Sequence, residues 1–329
     1  MGIRPPVAFI AHPGAGRGAF ARRWPAVAAA LERRGIEHDV SLTSRPEEAK
    51  ELARRAADEG ARLIVAVGGD GTLHEIVNGL LDGGRTRLPD TPVVGLVPAG
   101  RGSDYARGLK LSADPDALVD RFAGALEGDP AATRRVDVGE VHYARARLVA
   151  GRPLDGPDGE ATTRRYINNA GIGISTVITQ RTARFPPRLG AYLYTVAGLV
   201  TIADWRERGV KVTWDDETSQ EMQIESLEAA LGPYEGGGMW VSPEADQSDG
   251  LFDIVVFEAM SRFETFTFSW RVRTADHLRS PRAWVRRSRS LAVEVSDGRG
   301  PIYLQADGEL LGRDPFEFRM LPGAIRFAG

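Results

Sequence analysis

Cysteine is absent from this 329-residue sequence. That absence excludes a disulfide framework, thiolate catalysis and zinc-thiolate sites, and it agrees with a reducing compartment. Lysine is nearly absent as well: Lys50, Lys110 and Lys211 are the only three among 42 basic residues, a preference that genomic base composition explains. Neither charge sign dominates, and a net charge of -3 argues against a nucleic-acid binder that works by bulk attraction. Long apolar runs are missing too. Leu189 to Ala203 comes nearest to the roughly 18 apolar residues of a membrane span and falls short. The apolar stretch Val7 to Ala11 runs into His12-Pro13-Gly14 without a basic leader, so no secretory signal is expected. The expectation is a cytoplasmic protein, soluble or peripheral at the inner membrane face.

What is present falls into two patterns. Up to about Arg135, apolar runs alternate with helical ones. Pro6 to Ala11, Ile36 to Leu42, Arg62 to Val67 and Pro92 to Val97 read as strands. Between them lie a helix ending at Gly35, one capped by Ser44 and ending at Gly60, and a third over Thr72 to Leu81. Short helices follow Ser103 and Asp114. Such alternation predicts a parallel sheet covered by helices. After Arg135 strand-like runs prevail, with helical stretches over Ala191 to Trp205 and about Phe263 to Leu278. The fold expected is therefore an α/β domain over 1–135, then a mainly antiparallel β-sandwich domain over 136–329.

The most informative stretch is Leu63 to Val67 followed by Gly68-Gly69-Asp70-Gly71-Thr72 and a helix. Glycines let the backbone turn sharply and approach a polyphosphate, and the N–H groups of the next helix point at it. Asp70 beside phosphates calls for a metal ion between them, since a bare carboxylate repels the ligand. Thr72 can cap the helix and bind phosphate, with Glu75 three residues on as a capping-box partner or a further polar contact. No lysine follows a glycine as a Walker loop requires. Backbone amides, Thr, Arg and metal must therefore hold the phosphates.

Gly68 to Thr72 resembles the signature of the diacylglycerol kinase catalytic family, which includes sphingosine and ceramide kinases and bacterial lipid kinases. NAD kinases and phosphofructokinases carry a related loop. Four further stretches resemble that family in its own order: His12-Pro13-Gly14-Ala15-Gly16; Pro98 to Arg107; Gly236-Gly237-Gly238-Met239 through Pro243, Ala245, Asp246, Asp249 and Leu251; and Asp307-Gly308-Glu309. Three positions depart from its pattern: His12 stands for Asn, Arg101 for Thr and Ser103 for Asn. His12 and Ser103 still hydrogen-bond, and Arg101 adds a bidentate phosphate donor.

The resemblance implies an NAD-kinase/diacylglycerol-kinase-like fold and an ATP-dependent lipid kinase with Mg²⁺. It implies nucleotide contacts at Thr43, Gly68 to Thr72 and Glu75, and around Gly100, Arg101, Ser103 and Asp104. Asp307-Gly308-Glu309 by itself reads as a hairpin turn. The resemblance makes one of its acids the general base, with Glu309 ahead of Asp307, and adds Asp70 to the catalytic set. It also implies a structural Mg²⁺ site at Asp246, Asp249 and the backbone of Leu251, and an apolar lipid pocket in the second domain. Asn168, Asn169, Gly171 and Gly173 are read as shaping the cleft wall, with the Asn pair as satisfied turn residues the alternative. Two basic-aromatic clusters, Arg181 to Arg188 and Arg282 to Arg289, could touch an anionic bilayer or be solvated surface. The partners expected are ATP, a lipid alcohol and a membrane surface, with a homodimer as one option and no nucleic acid. The competing readings are a NAD-kinase-like phosphotransferase and a nucleotide- or lipid-binding regulator without turnover.

Overall fold

In the computed structural model the described residues are 6–14, 18–81, 91–100, 102–149, 152–154, 159–182, 185 and 193–329. The chain divides into two compact units, Met1–Val138 with Leu321–Gly329, and Gly139–Met320.

The first unit holds β1 (Val7–Ala11), α1 (Ala19–Arg33), β2 (His38–Leu42), α2 (Glu48–Asp58), β3 (Leu63–Gly68) and α3 (Asp70–Leu81). It continues with β4 (Val93–Pro98), α4 (Asp104–Gly108) and α5 (Pro115–Glu127). β1 pairs in parallel with β2 and β3, and β3 with β4, which gives the order β2-β1-β3-β4. β1, β3 and β4 are buried throughout, as expected for Val- and Ile-rich runs sandwiched by helices. Phe9, Leu31, Val65 and Phe122 are central to that core. α5 starts as its sequence prescribes, with Asp114 accepting the Ala117 N–H and Pro115 in the first turn. α2 departs from expectation. Ser44 is not its cap; instead the Glu48 carboxylate reaches back to the Ser44 N–H and hydroxyl, and the helix starts two residues later than predicted.

The second unit contains β5 (Thr133–Arg145, entering from the first unit), the ribbon β6 (Arg147–Val149) and β7 (Arg152–Leu154), β8 (Ala161–Tyr166) and β9 (Asn169–Gly173). Next come α6 (Ile174–Thr182), α7 (Leu193–Asp204), β10 (Arg208–Trp214), β11 (Ser219–Ala230) and β12 (Phe252–Glu258). α8 (Arg262–Arg271), β13 (Ala283–Ser288), β14 (Ser290–Val295), β15 (Tyr303–Ala306) and β16 (Glu309–Ala328) complete it. Pairing is antiparallel in the order β13-β12-β11-β10-β14-β16. Two long strands change partners along their length. β11 pairs with β10 through its first half and with β9 through its second, and β16 pairs first with β15 and then with β14. The sheet thereby closes on itself around Tyr166, Ile172, Trp214, Leu227, Phe252 and Phe316. α6 was not predicted, because its polar sequence gives a weak apolar period.

A domain running unbroken to residue 329 does not match the chain path. Phe327 and Ala328 pair in parallel with Val94 and Gly95, so the C-terminal nine residues fold with the first unit as a fifth strand. Among the described residues no helix is long and apolar enough to cross a membrane.

Candidate functional site

The strand order 2-1-3-4 reverses direction between β1 and β3. Open parallel sheets hold ligands outside the carboxyl ends of their strands at such a switch point. His12 leaves β1 there, Thr43 leaves β2, Gly69 leaves β3 and Ala99 leaves β4. His12 Nδ1 and Thr43 Oγ1 are hydrogen-bonded at 3.0 Å, which ties the ends of β1 and β2 together. Thr43 is buried and His12 exposed.

The two glycine loops meet backbone to backbone. A Cβ on Gly100 would lie 2.4 Å from the Cα of Gly69, and one on Gly69 would lie 3.0 Å from the Cα of Gly100. Neither position can carry a side chain. Gly71 differs: a Cβ there would meet nothing within 4 Å. The Gly71 and Thr72 N–H groups, in the first turn of α3, find no partner among the described residues, as helix starts leave them. Unpaired amides beside open space, on a helix whose dipole favours negative charge, suit the phosphates of a nucleotide. The Thr72 side chain folds back over Gly68.

The two oxygens of Asp70 accept the N–H groups of Asp104 (3.0 Å) and Tyr105 (3.2 Å). Asp70 caps α4 from the neighbouring loop, a service that Ser103, left-handed at φ 51° and making no cap bond, does not give. Glu75 is not a capping-box partner of Thr72. Its carboxylate accepts the Ala49 N–H at 3.0 Å and caps α2. Asp104 is buried and paired with Arg107 at 2.7 Å. Arg101 lies outside the described residues.

In the second unit, Asp307 and Glu309 have different surroundings. Asp307 is left-handed at φ 48°, and its carboxylate accepts three main-chain N–H groups, from Ile167 (2.9 Å), Asn168 (3.0 Å) and Asn169 (3.1 Å). Its own N–H donates to the Asn169 carbonyl at 2.8 Å. Those bonds lock β15–β16 onto the β8–β9 turn. Glu309 is half-exposed, and one oxygen accepts from the nearly buried guanidinium of Arg164 at 2.8 Å. Burial, and secondarily the Asp307 charge, pushes the Tyr166 phenol well above its ordinary range.

Sequence reasoning missed two acids. Glu235 links the Asn pair to the Asp-Gly-Glu turn: it accepts from Asn169 Nδ2 (2.7 Å) and Gln305 Nε2 (2.8 Å), and Gln305 accepts the Gly308 N–H (3.1 Å). Glu228 lies fully buried on β11 beneath α6, where its carboxyl contacts the Ser226 hydroxyl. Gly171 is bare for that reason, since a Cβ there would overlap the Glu228 carboxylate. Burial pushes the Glu228 carboxyl up to about 7. Neither acid sits in a motif, so each was indistinguishable from a surface residue.

The side chains of Asp246 and Asp249 meet local partners in the loop that leads into β12. Asp246 accepts from the Ser248 N–H and hydroxyl, Asp249 accepts from the Leu251 N–H, and the other Asp249 oxygen pairs with Arg287. Among the described residues no group of three or more His, Cys, Asp or Glu side chains could hold a metal ion. A polar cavity of about 410 Å³ is lined by Trp205, Arg206, Glu225, Arg262 and Arg299. Burial raises the Glu225 carboxyl, and the Trp205 indole N–H faces it without completing a hydrogen bond.

The first basic-aromatic cluster lies mostly outside the described residues, and the second carries surface ion pairs. Arg181 pairs with Asp204, and Arg184, Pro186, Pro187 and Arg188 lie outside the described residues. Arg282 pairs with Glu258, Arg286 with Asp216, and Arg287 with Asp249 and Asp253.

Comparison with known proteins agrees with this architecture. Residues 6–141 match the diacylglycerol kinase catalytic domain, and residues 168–329 match the YegS C-terminal NAD kinase beta sandwich-like domain. A diacylglycerol kinase of Staphylococcus saprophyticus is 25% identical, covering 94% of this chain and 90% of its own length. A diacylglycerol kinase of Bacillus subtilis is 26% identical, covering 94% and 91%. A crystal structure described as a diacylglycerol kinase from Bacillus anthracis superposes with a TM-score of 0.64 at 18% identity, covering 98% of this chain and 96% of that one.

Proposed function

The chain belongs to the diacylglycerol kinase catalytic domain family, a family of lipid kinases, and from that premise we propose that it transfers the γ-phosphate of ATP to a lipid hydroxyl. The observation that carries the reading is the pair of abutting loops at the sheet's switch point, with the Gly71 and Thr72 amides, unpaired among the described residues, at their edge. Those amides bind phosphate oxygens, while His12, Thr43 and Ser103 add side-chain donors around them. Asp70 is a positioning residue that keeps the two loops in register. When bound with the nucleotide, Mg²⁺ neutralises charge on the transferring phosphoryl group.

Glu309 is the better general base of the two candidates. Its carboxylate is half-exposed and oriented by Arg164, whereas both oxygens of Asp307 are committed to main-chain amides. The acceptor oxygen forms the new P–O bond, its proton passes to Glu309, and ADP leaves. Asp307 serves to hold the strand connection that presents Glu309. Catalysis rests mainly on positioning and charge neutralisation. The protein works in the cytoplasm, with an acceptor that resides in the membrane.

The test is transfer of labelled γ-phosphate from ATP with Mg²⁺ into detergent-dispersed diacylglycerol, a sphingoid base, phosphatidylglycerol and a polyprenol, with NAD as a control acceptor. A labelled lipid supports the proposal and identifies the acceptor. Label in NADP would make the chain a NAD kinase, and ATP binding without transfer would make it a regulator.

A further inference from the structure

α8 carries four aromatic residues in ten, and only Phe268 turns inward, edge-on to Phe257. Phe263, Phe266 and Trp270 are 76%, 39% and 61% exposed. They fall at i, i+3 and i+7, within about 60° of one another around the helix at 100° per residue. A helix apolar on two opposite sides normally has a partner on both. This one has the core on one side and, among the described residues, leaves Phe263, Phe266 and Trp270 exposed on the other. α7 packs against α8 and adds exposed Leu199 and Val200. An apolar surface of this kind marks an interaction site.

Charge decides what kind. On the helical wheel Arg262 and Arg271 fall on the two flanks of the aromatic stripe, and the Arg273 guanidinium lies over the Trp270 ring at 6.0 Å. All three are exposed, and none makes an ion pair among the described residues. The sole carboxylate on the helix, Glu264, is committed to the Ser261 capping box. Aromatic side chains flanked by arginines suit the boundary of an anionic bilayer: the rings enter the acyl layer while the guanidinium groups stay among the phosphates. A second copy of the chain suits it poorly, because a two-fold contact through this face would set arginine against arginine.

We propose that the Phe263–Phe266–Trp270 face of α8, with Arg262, Arg271 and Arg273, is the surface by which the protein docks on anionic lipid bilayers. The choice of a bilayer over another apolar partner rests in part on the lipid-kinase reading, whose acceptor resides there. The surface is created by the α8 fold.

The test is sedimentation of the full chain, without nucleotide, with vesicles of phosphatidylglycerol and phosphatidylcholine or of phosphatidylcholine alone. The variants are F263S/W270S and R271Q/R273Q, all at exposed positions. Wild type should partition onto the anionic vesicles and weakly onto the neutral ones. F263S/W270S should lose at least about tenfold in partition, and R271Q/R273Q should lose the preference for anionic lipid. Detergent-dispersed acceptor should be phosphorylated by F263S/W270S as by wild type. Equal vesicle binding by wild type and both variants, or none by wild type, would overturn the proposal. A concentration-dependent dimer dissociated by F263S/W270S would overturn it too, and give the face to a second copy. Failure of the kinase reading would instead remove transfer in detergent and leave vesicle partition intact.

Discussion

The carboxylate of Asp70 accepts the main-chain N–H of Asp104 at 3.0 Å and so joins two loops 34 residues apart. Asn at position 70 would keep one acceptor and turn an NH₂ against the second N–H, a mismatch of about 1–3 kcal/mol. Asp70→Asn should therefore weaken ATP binding roughly tenfold or more, equally with and without Mg²⁺, in calorimetric titration. A loss seen only with Mg²⁺ would make Asp70 a metal ligand instead.

Gly100→Ala and Gly71→Ala should separate fold from function. The first forces a methyl against the Gly69 Cα and should lower the melting temperature, at a cost of about 1–3 kcal/mol, while also weakening ATP binding. The second enters open space in the first turn of α3 and should leave the melting temperature unchanged or raised. It should nonetheless reduce ATP affinity, because its methyl occupies the ligand's approach. Unchanged affinity in Gly71→Ala would remove the phosphate site from this loop.

Asp307 and Glu309 should respond in opposite ways. Asp307→Asn leaves a main-chain amide facing an NH₂ group and should destabilise the protein by about 1–3 kcal/mol in denaturant titration. Glu309→Gln removes a half-exposed carboxylate and should spare stability while lowering kcat by about 10²–10⁴ with ATP affinity unchanged. Full activity in Glu309→Gln would strike it from the mechanism.

Glu228 should write a pH dependence into stability. Its carboxyl is raised to about 7 in the folded chain and titrates near its ordinary value of 4.5 when unfolded. The folded state thus holds an extra proton between those values, and stability is full below pH 4.5 and falls as pH rises to 7. The loss is on the order of 1–3 kcal/mol. Melting temperatures taken from pH 5 to pH 8 should decline in wild type, and Glu228→Gln should flatten the curve. An identical slope in both would show that another group governs it.

Much of the architecture was legible in residue order. Buried runs such as Leu63 to Val67, followed by a glycine turn and an amphipathic period, fix a strand, a turn and a helix through local free energies. The change of pattern near Arg135 separated the parallel from the antiparallel half, and the Asp114-Pro115 start of α5 was readable as a cap. The partners of charged side chains were not legible. Asp70 and Glu75 each cap a helix other than their own, Asp249 turns to Arg287, and Glu235 and Glu228 belong to no motif.

The sequence by itself determined most of the strands and helices and the glycine turn between β3 and α3, because turns, caps and alternation are set by neighbours a few residues apart. Only the tertiary structure decided which acids are anchors and which remains exposed beside an arginine, where the C-terminal strand returns, and that α8 presents three aromatic rings outward. Those outcomes depend on what the fold brings against each residue from tens or hundreds of positions away, and burial and hydrogen bonding act only once that contact is made.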